Sequence, residues 1–396
     1  MPARPLKIIF HSNASFTPSG YGAQTALFSR LLTEAGHNVI VSAFYGLKGA
    51  ELTINGVRHL PGGLEPWGND LLPLHYDAFR PDVTVALVDA WVLQPDTLDR
   101  VPLTAWAPID HQPAPPLVAE RLARCRGVWA MSRAGERELR RLGLNPAYVP
   151  HAVDTDQFTP LDRAEARRRL EIDDQTFFAV CVAANKGWPS RKSLDRLLKA
   201  WARFVQAHRS ALLYVHAFPG DDYGGPDLVE MARFYGIPER NLRFPDVYRL
   251  LRGSYGPAEL NLLYNAADVM ALPSAGGGFE IPLIEAQSAG CPVVTTSVTA
   301  MAELAGPGYL IDVDPFDGLA YTAQGSEQAN VLPSQILAGL EWGLERMGDE
   351  RLRAESRAFA QSYDGRRVLR DYMLPALADA AERLETERVR SAVDHV

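Results

Sequence analysis

The sequence predicts an α/β protein in two halves, each a doubly wound parallel sheet, and three observations carry that reading. The chain opens as strand, turn, helix, strand, and the same plan restarts at Phe177. Deep in the second half, the apolar run Val269–Leu272 leads into a glycine loop and then a helical pattern. At 396 residues there is chain enough for two cores.

In the first half, Leu6–His11 reads as a buried strand, Thr17–Gly22 as a turn, and Ala23–Ala35 as a helix with Leu27, Leu31 and Leu32 on one face, stopped by Gly36. Val39–Phe44 is the next strand, and Leu52–Leu60 a small hairpin turning on Asn55-Gly56. Strands follow at Val83–Val88, Leu103–Ile109, Gly127–Ser132 and Tyr148–Val153, with helices at Leu117–Arg124 and Arg133–Leu142. The polar stretch Asp154–Pro160 marks the boundary. In the second half the strands are Phe177–Ala183, Leu212–Ala217, Leu242–Phe244, Val269–Leu272, Pro292–Thr295 and Tyr309–Ile311. Lys192–Ala207 is helical, and so is nearly everything after Ser334. The expected domains are residues 1–155, 156–365 and a C-terminal helix, 366–396, packed back on the first. Ligands of such folds sit at the carboxyl ends of strands, so a cleft between the two halves is expected.

Composition narrows the function. A formal charge of −8 does not suit a dominant nucleic-acid or anionic-membrane partner, and peripheral membrane contact is the most that is expected. Arg121, Arg124, Arg126, Arg133, Arg137, Arg140 and Arg141 cluster, but Glu120, Glu136 and Glu138 are interspersed, which reads as a solvated face. Cys125, Cys181 and Cys291 show no metal-ligand spacing and read as buried free thiols in a reducing, cytoplasmic compartment. No run is long enough to span a bilayer. Gly20-x-Gly22 lacks the third glycine of a dinucleotide fingerprint, and no acidic residue ends the second strand.

The stretch Ser274-Ala275-Gly276-Gly277-Gly278-Phe279-Glu280-Ile281-Pro282-Leu283-Ile284-Glu285-Ala286 carries most of the chemistry. Glycines let backbone approach a ligand, helix-start amides offer donors, and Glu285, read as lying in the first helical turn, can accept from hydroxyls. That suits a sugar or a nucleotide. With Leu263–Val269, the junction Val149–Phe158 and Gly290-Cys291-Pro292-Val293, this stretch resembles the GT-B fold glycosyltransferases, in particular retaining family 4, the glycosyl transferases group 1. The resemblance implies two Rossmann-like domains, the first on the acceptor side and the second binding the nucleotide sugar, and a hexosyltransferase using a nucleotide diphosphate sugar.

The family's motif reads Glu, seven residues, Glu. Glu285 matches the second glutamate, to which the resemblance assigns the nucleotide ribose. Gly277 stands where the first would be, and Glu280 where a glycine is usual. The donor-sugar role then falls either to Glu280 from a shifted position or to main-chain N–H groups of Gly277, Gly278 and Phe279. In Asn185–Lys192 the resemblance assigns the diphosphate to Lys192 and to Lys186, which replaces an arginine, with Arg191 as the alternative. His111, ending a strand of the first half, matches a histidine that touches the donor sugar, and Gly20 and Gly22 border the same site. His11 and His151 read as structural. Asp154-Thr155-Asp156 and Asp312-Val313-Asp314 read as turns, so neither metal nor cofactor is expected beyond the donor itself.

The expected function is transfer of a sugar, with retention, from a nucleotide diphosphate to an unknown acceptor, whether saccharide, lipid or another small molecule. A catalytically silent nucleotide-sugar-binding protein, in which Gly277 records a lost carboxylate, is the alternative.

Overall fold

The computed structural model describes residues 4–393, which divide into two compact units. Unit 1 comprises residues up to Ala152 together with Gln324–Ser326 and the segment from Asp364; unit 2 comprises Val153–Ala323 and Glu327–Tyr363.

Unit 1 is built on β1 (Lys7–Asn13), β2 (Asn38–Tyr45), β3 (Leu52–Ile54), β4 (Val57–Leu60), β5 (Val83–Ala86), β6 (Leu103–Ala107), β7 (Gly127–Ala130) and β8 (Ala147–Tyr148). They form one sheet in the order β3-β4-β2-β1-β5-β6-β7-β8, parallel throughout except for the β3–β4 hairpin. Helix Gly20–Glu34 starts at the two glycines because Ser19, in extended conformation, accepts the Gly22 amide on its hydroxyl at 3.0 Å. This corrects the expectation of a turn there: Gly20-Tyr21-Gly22 is the first helical turn. Β-carbon space explains the second glycine, since a Cβ on Gly22 would strike the carbonyl of Thr17. The strand expected over Tyr148–Val153 contracts to β8, because Pro150 has no N–H to continue the ladder after the Val149 amide reaches Ala130.

Unit 2 is built on β9 (Phe178–Val182), β10 (Leu212–His216), β11 (Leu242–Arg243), β12 (Val269–Leu272), β13 (Val293–Thr296) and β14 (Tyr309–Ile311), all parallel in the order β11-β10-β9-β12-β13-β14. A hairpin of β15 (Leu319–Tyr321) and β16 (Glu327–Ala329) was not foreseen; three residues per strand are too few to show periodicity. The central strands are buried on both faces, as parallel strands under helices must be, and β9 and β12 are apolar throughout. Helix Leu194–Ala207 buries Leu197, Trp201 and Phe204 against them. Lys192 therefore precedes the helix instead of opening it, and Ser193, in the left-handed region at φ +52°, makes the bend between them.

Candidate functional site

The chemistry of unit 2 gathers where β12 ends. Ser274 donates its hydroxyl to the Gly276 carbonyl at 3.0 Å, closing a tight turn. The Ala275 amide donates to the Arg191 carbonyl at 2.7 Å, and the Arg191 guanidinium returns a bond to the Gly276 carbonyl at 2.6 Å. Two stretches 85 residues apart are thus stitched together, once backbone to backbone and once guanidinium to backbone. On that frame Lys192 Nζ donates to Glu280 Oε1, and Arg191 Nη1 lies 3.7 Å from the same oxygen. Glu280 is buried and Lys192 nearly so, with side chains 7% and 13% exposed, so the pair is poorly screened. Two cations face one carboxylate, which leaves one positive charge uncompensated within the trio.

Gly277 takes its meaning from this trio. A Cβ built there would run into Glu280 Oε1 and stand 2.9 Å from its carboxyl carbon. Glu280 curls back over position 277 and fills the room a side chain there would need. The Gly277 amide donates to Thr299 Oγ1 at 3.0 Å, so it is already engaged within the protein. Thr299 is β-branched and held at φ +47°, a strained conformation that aims its hydroxyl at the glycine loop. No sequence signal marks a threonine for that conformation. Sequence reasoning also left Ser274 without a role.

Glu285 lies on helix Ile281–Ser288, which Pro282 opens at its second position. It is the fifth helical residue, not a first-turn residue as expected, so the helix dipole does not explain it. It is buried, and burial pushes its carboxyl up to about 7 despite the hydroxyl of Tyr264, which donates to Oε2 at 3.1 Å. A carboxylate can accept about four hydrogen bonds. One protein donor in an apolar setting leaves it under-supplied, a state suited to a ligand bearing hydroxyls.

Asn185 steadies the loop that carries the cations. Buried, it places Nδ2 within 3.1, 3.0 and 2.8 Å of the carbonyls of Phe218, Gly220 and Pro226. Lys186 next to it is exposed and bridges by its backbone to Gly224. The structure brings Arg191, Lys192, Glu280 and Gly277 together and carries Gly278, Phe279 and Glu285 on the same strand-loop-helix, while Lys186 stands outside that trio.

In unit 1, His111 is buried beyond the end of β6, with Nδ1 2.7 Å from Asp110 Oδ1. His11 lies between Ser42 and the Trp67 carbonyl, and burial lowers it to about 4. His151 packs edge-on against Trp106 and is lowered by burial to about 3. Asp154 accepts from the Asp156 and Gln157 amides, and Asp314 from those of Phe316 and Asp317, which makes both triplets turns. Of the arginine cluster, Arg121, Arg124, Arg133, Arg140 and Arg141 pair with Glu120, Asp99, Glu136 and Glu138. Cys181 and Cys291 are buried as expected while Cys125, just past a helix end, is only half-buried, and burial pushes all three free thiols up to about 12, far from a reactive thiolate. No helix among the described residues is long and apolar enough to cross a membrane.

Residues 178–324 match the family described as glycosyl transferases group 1. A D-inositol 3-phosphate glycosyltransferase of Actinosynnema mirum is 34% identical over 156 residues, which are 38% of this chain and 35% of that one. The chain thus spans about a third of the length of the curated relatives it matches. Among solved structures, sucrose-phosphate synthase of Thermosynechococcus elongatus superposes with a TM-score of 0.69 at 15% identity, over 98% of this chain and 100% of that one. HepE of Anabaena in complex with UDP-glucose gives 0.66 at 15% identity, over 96% and 100%. At such identities the likeness establishes the fold, which is GT-B.

Proposed function

We propose, from a GT-B fold whose residues 178–324 match glycosyl transferases group 1, that this chain transfers a sugar from a nucleotide diphosphate donor to an acceptor with retention of configuration. The observation that carries the reading is the Lys192–Arg191–Glu280 trio at the end of β12, a few residues before the under-supplied carboxylate of Glu285.

A diphosphate leaving group gains negative charge as the glycosidic bond breaks. Cations already fixed in a poorly solvated pocket stabilise that charge more in the transition state than in the ground state. Lys192 and Arg191 are fixed by Glu280 and by the Gly276 carbonyl, so they need little reorganisation when the charge arrives. Glu285 accepts the ribose hydroxyls in place of water. Glu280, filling the space above Gly277, stands where hydroxyls of the donor sugar can reach it, and supplies the carboxylate that position 277 lacks. The acceptor hydroxyl attacks the anomeric carbon from the face the diphosphate leaves, and the departing phosphate oxygen takes its proton. Bond making and breaking balance without an enzymic nucleophile, and the leaving charge is met by side-chain cations, so no divalent metal is required.

The test is a thermal-shift screen of the full chain against a panel of nucleotide diphosphate sugars in EDTA, followed by turnover of the best ligand. A cognate donor at 100 times its Kd stabilises the fold by roughly 3 kcal/mol. Stabilisation with slow donor hydrolysis is the expected result. Stabilisation without turnover under any acceptor would move the assignment to a silent nucleotide-sugar-binding protein.

A further inference from the structure

The carboxyl ends of the unit 1 strands present rings, and they do so on a braced frame. Phe16 follows β1, Tyr45 ends β2 and Trp91 follows β5; they are 49%, 58% and 49% exposed, high values for side chains of that size. The Ala14 amide donates to the Tyr45 carbonyl at 2.9 Å, which keeps the first two neighbours. Trp91 stands edge-on to Trp67 at 5.9 Å between centroids, and Trp67 packs at 5.9 Å on Phe44, the residue before Tyr45.

Asn69 fixes this arrangement. Its amide donates to Glu65 Oε2 at 3.1 Å and to the Val92 carbonyl at 3.0 Å, and its carbonyl accepts the Gln94 amide at 2.9 Å, tying the Trp67 loop to the Trp91 loop. Glu65 in turn accepts the amides of Trp67 and Asn69 at 2.9 and 2.8 Å. His11 holds the Trp67 carbonyl from below at 3.0 Å. Trp67 and Trp91 are therefore placed before any ligand arrives.

The charge around them is mostly negative, and Arg133, which follows β7, is held by Glu136 at 2.7 Å. The segments that follow the carboxyl ends of β1, β2, β4, β5 and β6 carry Glu51, Glu65, Asp70, Asp89 and Asp110 against a single lysine, Lys48. Arg58, within β4, is tied to Glu51 at 2.6 Å. The histidines beneath the rings, His11 and His75, are kept neutral by burial and add no positive charge. A phosphate ester is normally recognised by arginine or lysine donors, which this surface does not gather. Flat faces beside carboxylate acceptors suit a pyranose, whose C–H face is apolar and whose edge is a row of hydroxyl donors.

We infer that this shelf is the acceptor subsite of the proposed transferase and that it takes a neutral saccharide, stacked on Trp91 with hydroxyls given to Asp89, in preference to a phosphate-bearing acceptor. Tyr21 donates to Asp89 Oδ2 at 3.3 Å and so orients that carboxylate. The inference rests on the glycosyltransferase reading above, and it departs from what the names of the inositol 3-phosphate relatives would suggest for this chain.

The experiment applies the full chain, and its Trp91→Ala and Trp91→Phe variants, to an array of neutral, uronic-acid and phosphate-bearing saccharides, with inositol 3-phosphate titrated separately. The nucleotide response of each protein is followed by thermal shift. The expected result is retention of neutral glycans, weakened about tenfold in Trp91→Ala and partly restored in Trp91→Phe, with an unchanged nucleotide response. Preference for phosphate or uronic-acid saccharides, retention indifferent to Trp91→Ala, or no retention at all overturns the inference. Neutral-glycan retention in a protein that answers to no nucleotide would support the shelf while sinking the donor assignment alone.

Discussion

Where β12 ends in unit 2, two cations close on one buried carboxylate, and a second buried carboxylate waits with a single hydrogen bond. Where β1, β2 and β5 end in unit 1, exposed rings stand among acids, with neutral histidines beneath. Both ends belong to parallel sheets made the same way, and both are braced by amide-to-carbonyl stitches, Asn185 in one and Asn69 in the other. The scaffold fixes where a ligand binds; the side chains on the loops after the strands decide which. One end can answer charge that appears during a reaction. The other can only recognise a shape and its hydroxyls.

If the contrast is real, removing charge from the first end should hurt turnover far more than any change at the second. Lys192→Ala should lower turnover with donor roughly 100- to 1000-fold, a loss typical of a single preorganised electrostatic partner. Part of that loss would reflect Glu280 left buried beside one remaining, half-exposed cation. Steady-state kinetics decide the matter, and a variant with wild-type kcat would end the assignment of this lysine to the leaving group.

The second prediction separates binding from stability at Glu285. Its folded carboxyl titrates near 7, above the ordinary value of 4.5, so the folded state binds the proton more tightly than the unfolded state does. Folding stability therefore falls as pH rises from about 4.5 to 7, and the full cost is present above 7. Glu285→Gln, neutral at every pH, should be more stable than the wild type by about 3 kcal/mol at pH 8 and by little at pH 4.5. Urea denaturation at the two pH values measures the difference, and titration with the cognate nucleotide should show weakened binding in the same variant. Equal stabilities at pH 8 would mean that the carboxylate is better supplied than its single bond to Tyr264 suggests.

Gly277 offers a smaller and sharper perturbation. Gly277→Glu forces a side chain into the space of the Glu280 carboxylate and should push that group off Lys192, lowering turnover about tenfold. Adding Glu280→Gly should recover much of the loss, because one carboxylate would again occupy the space. Two additive losses instead of a recovery would show that the two positions do not exchange roles.

Much of this was legible in the sequence, for physical reasons that stop at definable points. The strand, glycine turn and helix of Val269–Ser288 announce themselves through an apolar run, consecutive glycines and a proline at the helix start, all local signals. Lys192 and Glu285 were found by resemblance, and the exchange at Gly277 and Glu280 showed as a departure from it. The meaning of the exchange did not show, since whether Glu280 folds over position 277 depends on Lys192, 88 residues away. Thr299 was invisible because nothing in a threonine's neighbours forecasts φ +47°. The shelf was missed for the same reason of distance: Trp67 and Trp91 meet only once β4 and β5 lie in one sheet, and the residue that ties their loops is an unremarkable asparagine.

That asparagine gives the mildest test of the contrast. Asn69 makes its bonds to a carboxylate and to two backbone groups of partly exposed loops, so water can replace some of what Asn69→Ala removes, and stability should fall by only about 1 kcal/mol. Its effect on function should be selective. With the Trp67 loop released from Val92 and Gln94, the rings lose their fixed spacing, and an acceptor must pay to order them, which raises the acceptor KM several-fold while kcat and the nucleotide response hold. The same change in unit 2, Asn185→Ala, frees the loop that carries Lys192 and should lower kcat instead, since a cation that must be reoriented during the reaction stabilises the leaving group less. Two asparagines of like geometry would then report on different kinetic constants. If both variants altered the same constant, the division of labour between a charged end and an aromatic end would not hold.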